Sequence, residues 1–404
     1  MDLRGRFGTA LSALLIPAWV ANPVAGVVVA VAWAFAVRAR VRIDLAIVVP
    51  ASGGAIALLA HARSVPTALA AVAAVAATTV LLLAIRHGLS RTHVIAIGYS
   101  AAATSIVLAG ASIASIAFFG IAQPHPGTHH PNVAAGIGIA LAGAASLSWG
   151  HGRCGRVAAS AGVIAALLLV VVSGSRSGVV GLAVAGAAVL AWTIMRRWNR
   201  DVRRPGRAAA LIVVAAAGGL GLLQAVVFDP ATFGLPRTAG AVSLSGVTVD
   251  GAAGESVATR LASLADPWRA AGARIANWRV ARQIAGDRPF LGYGFESALD
   301  VYRSATQRSL MVTNSHPHNS LLLALLQGGT VFVTALLFGI VTFAWRLTRR
   351  AVVGDRAAAI VVSALIGVLA ADRFDLLVAN GSVSALLLVS ALAVSARPPT
   401  TQRE

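Results

Sequence analysis

Two histidines stand where a polar stretch of the sequence meets a long apolar one. His316 and His318 lie in the run Ser315-His316-Pro317-His318-Asn319, and an apolar stretch begins directly after it. Histidine exchanges protons near neutral pH, so it is well suited to act as a base. Polar groups at such a boundary stay accessible and are positioned by the helix that they begin. The segment is therefore a candidate site for proton-transfer chemistry.

A second group of histidines, His125, His129 and His130, could bind a metal, because histidine is a common zinc ligand. No cysteine or carboxylate lies near them, and three prolines indicate a stiff loop rather than a set of ligands. Asn132 follows this loop and is predicted to cap the next helix, where it could also contact a ligand. The lone Cys154 predicts neither a disulfide framework nor a thiolate metal site.

The elements that position these residues are predicted to be membrane helices. Hydrophobic residues make up 57% and charged residues 12% of the 404 positions, and the mean hydropathy is +0.80. This balance is far too apolar for a soluble domain. The net charge of +19 comes from arginines scattered between apolar runs, which argues against nucleic-acid binding. The composition therefore favours an integral membrane protein.

About twelve apolar stretches approach the length of about 20 residues that a membrane helix needs. They lie at residues 8–21, 23–37, 44–61, 65–85, 93–121, 132–149, 156–173, 177–195, 208–228, 319–345, 355–371 and 376–396. Asn22-Pro23 separates the first two, and we predict a hairpin there, with one kinked helix as the alternative. The predicted fold class is an all-α polytopic membrane protein with about twelve transmembrane helices.

Arginines are concentrated in alternate loops, which the positive-inside rule places in the cytoplasm. The short loops on the other side hold at most one arginine each: Arg63, Arg176 and Arg373. Both termini are then cytoplasmic. The chain divides into nine N-terminal helices (1–228), a large outer loop (229–318), and three C-terminal helices with a cytoplasmic tail (319–404). The N-terminal apolar run is too long for a cleaved signal sequence, and we expect it to be retained.

The outer loop has two halves of different character. Residues 229–255 are rich in Gly, Ser, Thr and Pro and are predicted to be irregular. From Arg274 to Ile284, apolar residues recur at helical spacing opposite a basic face, which predicts a short amphipathic helix near the membrane surface. Residues 287–294 contain a proline and two glycines and are predicted to form a turn.

The order of these motifs resembles the O-antigen ligase and O-antigen polymerase superfamily. The motifs that carry the resemblance, over roughly residues 120–345, are Pro131-Asn132, Ser173–Gly178, Arg274 with Trp278, Pro289–Gly294, His318-Asn319 and Gly328-Gly329. The twelve-helix layout is similar over the whole chain. The ligases tend to carry a small or polar residue four positions after Gly329, where this sequence has Val333. Ligase and polymerase therefore both stay open.

The resemblance implies a membrane glycosyltransferase of cell-surface polysaccharide biosynthesis. Such enzymes take a glycan from a polyprenyl-pyrophosphate carrier, such as undecaprenyl pyrophosphate, and join it to an acceptor hydroxyl on the outer face. Inversion at the anomeric carbon is expected, without metal or other cofactor. The implied partners are the lipid-linked donor, a glycan or lipid acceptor and membrane lipids, with no nucleic acid.

This chemistry needs groups that bind the departing pyrophosphate and a group that deprotonates the acceptor. Arginine suits the first task because its planar guanidinium binds phosphate oxygens in pairs and keeps its charge. The resemblance implies that Arg176 and Arg274 bind the pyrophosphate, and that His318, which is followed directly by asparagine, is the base. The residues expected to add substrate contacts are Arg63, Arg373, Asn132, Asn319 and His316.

Each candidate also has a purely structural interpretation. Arg176 could lie among lipid headgroups, as interfacial arginines commonly do. Arg274 could belong to a solvated helix face together with Arg279 and Arg282. Asn319 could serve only to cap its helix.

Four carboxylates near the candidate site are open to both interpretations. Asp372 and Asp375 flank Arg373, where local charge pairing is the simplest role and orientation of Arg373 the alternative. Glu296 and Asp300 follow the turn and could accept hydrogen bonds from sugar hydroxyls, but nothing in the sequence favours them.

A transporter for the lipid-linked glycan is the rival function from another class, followed by a non-catalytic scaffold. Transporters usually carry ionisable groups near the bilayer midplane. In this sequence the charges gather at the helix ends, which favours the transferase.

Overall fold

The computed structural model describes residues 3–37, 42–62, 64–119, 130–198, 267–310, 316–372, 377 and 380–396. Within these ranges the chain forms helices and no strand. The helices are α1 (Leu3–Ala21), α2 (Pro23–Val37), α3 (Leu45–Ala60), α4 (Val65–Gly88), α5 (Arg91–Phe119), α6 (Pro131–Ala145, extended by a 3-10 turn at Ser146–Ser148), α7 (Gly152–Val172), α8 (Arg176–Trp198), α9 (Pro267–Asp287), α10 (Ala298–Leu310), α11 (Ser320–Val352), α12 (Arg356–Asp372) and α13 (Gly381–Ala396). The predicted all-helical fold class is confirmed for this part of the chain.

Six of the described helices are long and apolar enough to cross a membrane: α4, α5, α6 with its 3-10 turn, α7, α8 and α11. Four more helices have shorter apolar segments: Arg6–Ala21 within α1, Pro23–Val37 (α2), Leu45–Ala60 (α3) and Ser382–Ala396 within α13. Every predicted apolar stretch within the described ranges coincides with a helix, whereas the ninth, 208–228, lies outside them. The chain is a helical membrane protein, and the total of twelve spans stays a prediction.

The turn at Asn22 separates two helices. Its side-chain oxygen accepts a hydrogen bond from the Val24 N–H at 2.7 Å, and Pro23 begins α2. Helix α2 then folds back on α1, where Gly26 lies against the ring of Trp19. In one continuous helix, residues seven positions apart would be separated by about 10 Å, so the structure has a hairpin at this position.

Small residues let the central helices approach closely, as is usual in membrane bundles. Residues 134–145 of α6 are buried along their whole length. Gly181 of α8 touches Gly367 of α12, since a Cβ at either would lie 2.5 or 2.6 Å from the other's carbonyl oxygen. Gly53 and Gly339 allow a similar approach between α3 and α11. A glycine at these positions therefore sets the distance between the helices that carry the candidate site.

Helix α11 is interrupted at Gly329. The residue has φ 62° and ψ −163°, a conformation open almost only to glycine. Such a break removes helical partners from the carbonyls before it and from the N–H groups after it. In a membrane protein these groups must find partners within the protein, because unpaired backbone groups cost several kcal/mol in an apolar medium.

The turn formed by residues 289–294 supplies partners on both sides of the break. Two N–H groups of the turn donate to carbonyls before the break, and two N–H groups after the break donate to carbonyls of the turn. The four bonds are Tyr293 N–H to Leu326 O (2.7 Å), Gly294 N–H to Gln327 O (2.9 Å), Thr330 N–H to Pro289 O (2.8 Å) and Val331 N–H to Phe290 O (3.3 Å). We call this arrangement the Gly329 junction.

Helices α9 and α10 pack on the first turns of α11 and form their own apolar cluster. Its buried members are Val280, Ala281, Ile284, Ala285, Ala298, Tyr302 and Leu326. The amphipathic helix predicted from Arg274 to Ile284 is present within α9, but protein covers its apolar face. The reason is that α10, which the sequence pattern did not reveal, and α11 supply the matching apolar surface. The stretch 229–255 lies outside the described residues.

At the opposite end of the bundle, Asp44 joins three helices. This carboxylate precedes α3, accepts hydrogen bonds from Arg346 of α11 at 2.7 and 2.9 Å, and lies 3.4 Å from Arg86 of α4. Burial raises the pKa of Asp44, but the hydrogen bonds from Arg346 and a backbone N–H, together with the two arginine charges, outweigh burial and hold its pKa below the ordinary value. We refer to this side as the Asp44 end and to the other as the His318 end.

We predict that Gly329→Ala destabilises the protein by at least about 2 kcal/mol. The new Cβ would overlap the Phe290 carbonyl, and the backbone of an alanine would be strained at this φ and ψ. Unfolding in detergent measures the change. Gly110→Ala in α5 is the matched control, because nothing lies within 4 Å of that Cβ. Equal effects of the two substitutions would contradict the importance of the Gly329 junction.

A second prediction concerns Asp44→Asn, which should lower the free energy of unfolding at neutral pH by on the order of 2 kcal/mol, because two arginines lose a buried partner. A carboxyl whose pKa is lowered by folding stabilises the protein above its unfolded pKa, and this stabilisation disappears as pH falls through the folded value. The difference between wild type and variant should therefore shrink below about pH 4. Asp300→Asn, at a carboxylate that is 75% exposed, should show no such difference.

Candidate active site

The segment before α11 holds His318 in an unusual backbone conformation. Its φ of 52° makes it the one non-glycine residue with positive φ among the described residues. Asn319 is extended, and its side-chain oxygen accepts the Leu322 N–H at 3.0 Å, which caps α11. The capping role proposed for Asn319 is therefore present. A left-handed backbone costs about 1–2 kcal/mol, so the surrounding contacts must hold His318 in place.

Asp372, the last residue of α12, provides one such contact. The Ser320 hydroxyl donates to one carboxylate oxygen of Asp372 at 2.5 Å, and the Ser320 N–H donates to the other at 3.3 Å. Both residues are buried. A carboxylate at a helix N-terminus is also favoured by the helix dipole. The sequence suggested that Asp372 pairs locally or orients Arg373, but its described contacts fix the start of α11, two residues after His318.

The rings of His316 and His318 are in contact. Their centroids lie 4.2 Å apart with an interplanar angle of 61°, and the Nδ1 atom of each is buried. The structure therefore brings the preferred base and its alternative to one place. Replacement of either ring changes the surroundings of the other. A variant of His316 must therefore be compared with a variant of His318 to decide which of the two histidines is the base.

A second polar network lies at the start of α6 and α8. The Ser175 hydroxyl donates to the Asn132 side-chain oxygen at 2.7 Å, accepts the Gly178 N–H at 3.0 Å, and lies 3.1 Å from the Ser177 hydroxyl. Arg176 sits between these two buried serines as the first residue of α8 and is half-buried. The network orders the backbone that carries Arg176.

The expected cap of α6 is corrected by the structure. His130, not Asn132, is the N-cap, and its Nδ1 accepts the Asn132 N–H at 3.3 Å. The Asn132 side chain is instead turned toward Ser175. Capping by histidine was not expected because Ser, Thr, Asp and Asn are the usual N-cap residues. His125 and His129, the other members of the possible metal group, lie outside the described residues.

The direction of α12 follows from its contacts with α6 and α8. Gly181 of α8 lies against both Ile139 of α6 and Ala371 of α12, whereas Gly143, one turn further along α6, lies against Ala364. Helix α12 therefore runs opposite to α6 and α8. Its last residues lie at the end of the bundle where α6 and α8 begin.

The two polar networks consequently lie at the same end. Arg176 precedes Gly181 by five residues, or about 7.5 Å along α8. Asp372 directly follows Ala371, which touches Gly181, and holds Ser320 at the start of α11. Arg176, Asn132, His316, His318 and Asn319 therefore share the His318 end, although the chain separates them by up to 187 positions (132 to 319).

Arg274 differs from its neighbours on α9. Asn277 and Trp278, at 5% and 2% exposure, mark the buried side of the helix, and Arg274 lies one turn before Trp278 and is half-buried. Arg279 and Arg282 are exposed. The solvated face proposed for Arg279 and Arg282 is present, and it does not include Arg274.

Comparison with known families now identifies the central part of the chain. Residues 161–333 match the family model described as O-Antigen ligase. The match supports the O-antigen ligase superfamily for this segment. The resemblance predicted from the motifs is confirmed, and the matched family is enzymatic. No curated protein sequence matches the chain.

The O-antigen ligase segment contains Arg176, Arg274, His316, His318 and Asn319. Asn132 lies before it but is bonded to Ser175 within it. Arg373 lies after it, and both Arg373 and Arg63 are outside the described residues. The structure thus unites five candidates at the His318 end and places Arg274 on the helix that packs against α11.

Sequence reasoning missed the two residues that position the O-antigen ligase motifs, Ser175 and Ser320. Each adjoins a candidate, but their partners lie 43 and 52 positions away in the chain. The sequence held a weak signal for both residues, because Ser175 lies within the Ser173–Gly178 motif and Ser320 directly follows His318-Asn319. Only the packing of α6, α8, α11 and α12 shows what they bind.

A large apolar cavity of about 450 Å³ lies elsewhere in the bundle. Apolar side chains of α3, α4, α11, α12 and α13 line it, and Ala46, Phe343 and Leu347 place part of its wall near the Asp44 end. None of the described residues that line this cavity is charged.

We predict that Asp372 is a positioning residue for His318. Asp372→Asn should lower the enzymatic rate at least tenfold, because a small displacement of a catalytic group lowers the rate strongly. A double-mutant cycle with Ser320→Ala should give a coupling of about 1 kcal/mol in unfolding experiments. A coupling free energy close to zero, together with an unchanged enzymatic rate, would show that the contact between Asp372 and Ser320 does not support the site.

Proposed function

We propose that the protein is a glycosyltransferase of the bacterial inner membrane. It moves a glycan from a polyprenyl-pyrophosphate carrier to an acceptor hydroxyl on the outer face, in the biosynthesis of a cell-surface polysaccharide. The observation that carries this proposal is the convergence of His318, held by Asn319 and the Ser320–Asp372 contact, with Arg176 at the same end of the bundle. The O-Antigen ligase match supports the same reaction class.

The proposed chemistry needs only side chains. The bond from the anomeric carbon to the pyrophosphate oxygen breaks, and its electron pair leaves with the pyrophosphate. The acceptor oxygen attacks the same carbon from the opposite face, which inverts its configuration, while His318 takes the proton of the acceptor hydroxyl. Arg176 and Arg274 stabilise the charge that develops on the leaving group. The reaction proceeds without a metal.

The position of Arg176 supports its role toward a phosphate. A helix N-terminus presents backbone N–H groups and positive dipole charge, and Arg176 is the first residue of α8. The Asn132–Ser175 network holds that terminus, so the arginine does not depend on a long loop for its position. Arg63, Arg373, Asn132, Asn319 and His316 complete the proposed substrate contacts.

A polymerase is the second candidate function, because Val333 stands where ligases tend to carry a small or polar residue and thereby leaves both activities open. The side chain lies one turn after the break at Gly329 and is half-buried. A polymerase joins one lipid-linked unit to another, whereas a ligase transfers the glycan to a different acceptor. The products distinguish the two.

The decisive experiment is glycan transfer by purified protein in nanodiscs, with lipid-linked oligosaccharides extracted from the host and a chelator present. We expect wild type to transfer glycan, and His318→Asn and Arg176→Gln to lower kcat by about 100-fold or more. Asparagine is chosen because it tolerates the left-handed backbone of His318.

Two controls separate catalysis from general damage. Arg279→Gln changes an exposed arginine of α9 and should leave the rate unchanged. His316→Ala should retain more activity than His318→Asn if His318 is the base. Wild type that leaves the donor intact but moves it across vesicle membranes is a transporter, and this outcome would falsify the transferase proposal.

A further inference from the structure

A small cavity lies where the end of α3 meets residues 294–297, at the end of the turn that forms the Gly329 junction. Its volume is about 130 Å³, and its polar and aromatic walls come from His61, Thr67, Gly294, Phe295, Glu296 and Ser297. It is less than a third of the volume of the apolar cavity, about 450 Å³, and suits one small ligand group rather than an oligosaccharide.

His61 presents a hydrogen-bond acceptor in this region. Its Nε2 lies 2.9 Å from the carbonyl oxygen of Leu291, and because a carbonyl can only accept, Nε2 must carry the proton. In the neutral ring, Nδ1 is then the acceptor. Gly294, at φ 87°, lets the chain pass close to the histidine, since a Cβ there would lie 2.8 Å from the His61 Cβ. The ring is thus fixed by the turn.

Glu296 supplies a second acceptor with a full negative charge. Within the described part of the chain its carboxylate makes no hydrogen bond or ion pair, in contrast to Asp300, which pairs with Arg303 at 3.2 Å. The Thr67 hydroxyl is occupied, because it donates to the Ser64 carbonyl at 2.8 Å. These acceptors suit a ligand that donates hydrogen bonds, such as one that carries hydroxyl groups.

The cavity also has a fixed aromatic wall. The Phe295 ring packs edge to face on Phe332 of α11, with centroids 5.4 Å apart. An aromatic face beside hydrogen-bond acceptors matches a sugar, which has an apolar C–H face and a rim of hydroxyls. The Tyr293 N–H bonds to Leu326, which lies seven residues, or about 10 Å along α11, from Asn319. The turn that lines the cavity is therefore attached to α11 about two turns after the helix begins, next to His318-Asn319 in the chain.

We propose that this cavity binds a sugar ring of a glycan substrate, with Glu296 and His61 as acceptors for its hydroxyl groups. The residues determine specificity and take no part in bond breaking. The inference rests on the proposed transferase function. The sugar can belong either to the lipid-linked donor or to the acceptor, since both carry the same hydroxyl chemistry.

The first test measures binding of the free glycan, released from the host carrier, to purified wild type and to Glu296→Ala by saturation-transfer NMR. Wild type should bind, and Glu296→Ala should bind at least about tenfold more weakly, the effect of one charge-assisted hydrogen bond. Asp300→Asn, at a nearby exposed carboxylate, is the matched control and should bind as wild type does. Absence of binding by wild type, or equal binding by Glu296→Ala, overturns the proposal whatever the transfer assay shows.

The second test uses the transfer assay to find which substrate the cavity binds. Glu296→Ala should raise KM for one substrate about tenfold while kcat and the unfolding temperature change little, because the residue is exposed and takes no part in bond breaking. A raised KM for the donor identifies a donor sugar, and a raised KM for the acceptor identifies an acceptor sugar. Unchanged KM for both overturns the proposal. Wild type that binds glycan but transfers none leaves the cavity intact and contradicts the transferase function instead.

Discussion

The structure depends on one constraint: backbone groups freed inside a membrane protein must bond to other protein groups. Gly329 interrupts α11, and the turn of residues 289–294 meets this constraint with four hydrogen bonds. The same turn leads from α9 to α10, so the bonds that repair the helix also attach both helices to it. The position of Arg274, the apolar cluster around Tyr302 and the cavity at Glu296 all follow from this attachment.

The two ends of the bundle use charge differently. At the Asp44 end, Arg86 and Arg346 share a buried carboxylate, and the result is a contact that holds helices together. At the His318 end, buried carboxylate and hydroxyl groups bond to helix starts, as Asp372 does to Ser320. Arg176, half-buried as the first residue of α8, lies at that end as well. This division agrees with a site of chemistry at the His318 end and with a contact that stabilises the helix bundle at the Asp44 end.

The site shows how far sequence reasoning reached. The helices, the amphipathic segment of α9 and the family were predicted, because apolar periodicity and ordered motifs are local signals. The cap at His130 was not predicted, since histidine is an uncommon N-cap. Helix α10 and the cover that it gives to α9 were also missed, because α10 is short and polar apart from the few residues that it buries.

The sequence by itself determined the class of the protein, since apolar stretches of membrane length and arginines at their ends are properties of composition and order. It also determined which residue types could bind a pyrophosphate or accept a proton. Only the tertiary structure decided which of them meet. Contacts such as Asn132 with Ser175, Ser320 with Asp372 and Leu291 with His61 join residues 43, 52 and 230 positions apart. Close helix packing at glycines produces these pairs. The local patterns of a single sequence do not show which helices will pack against each other.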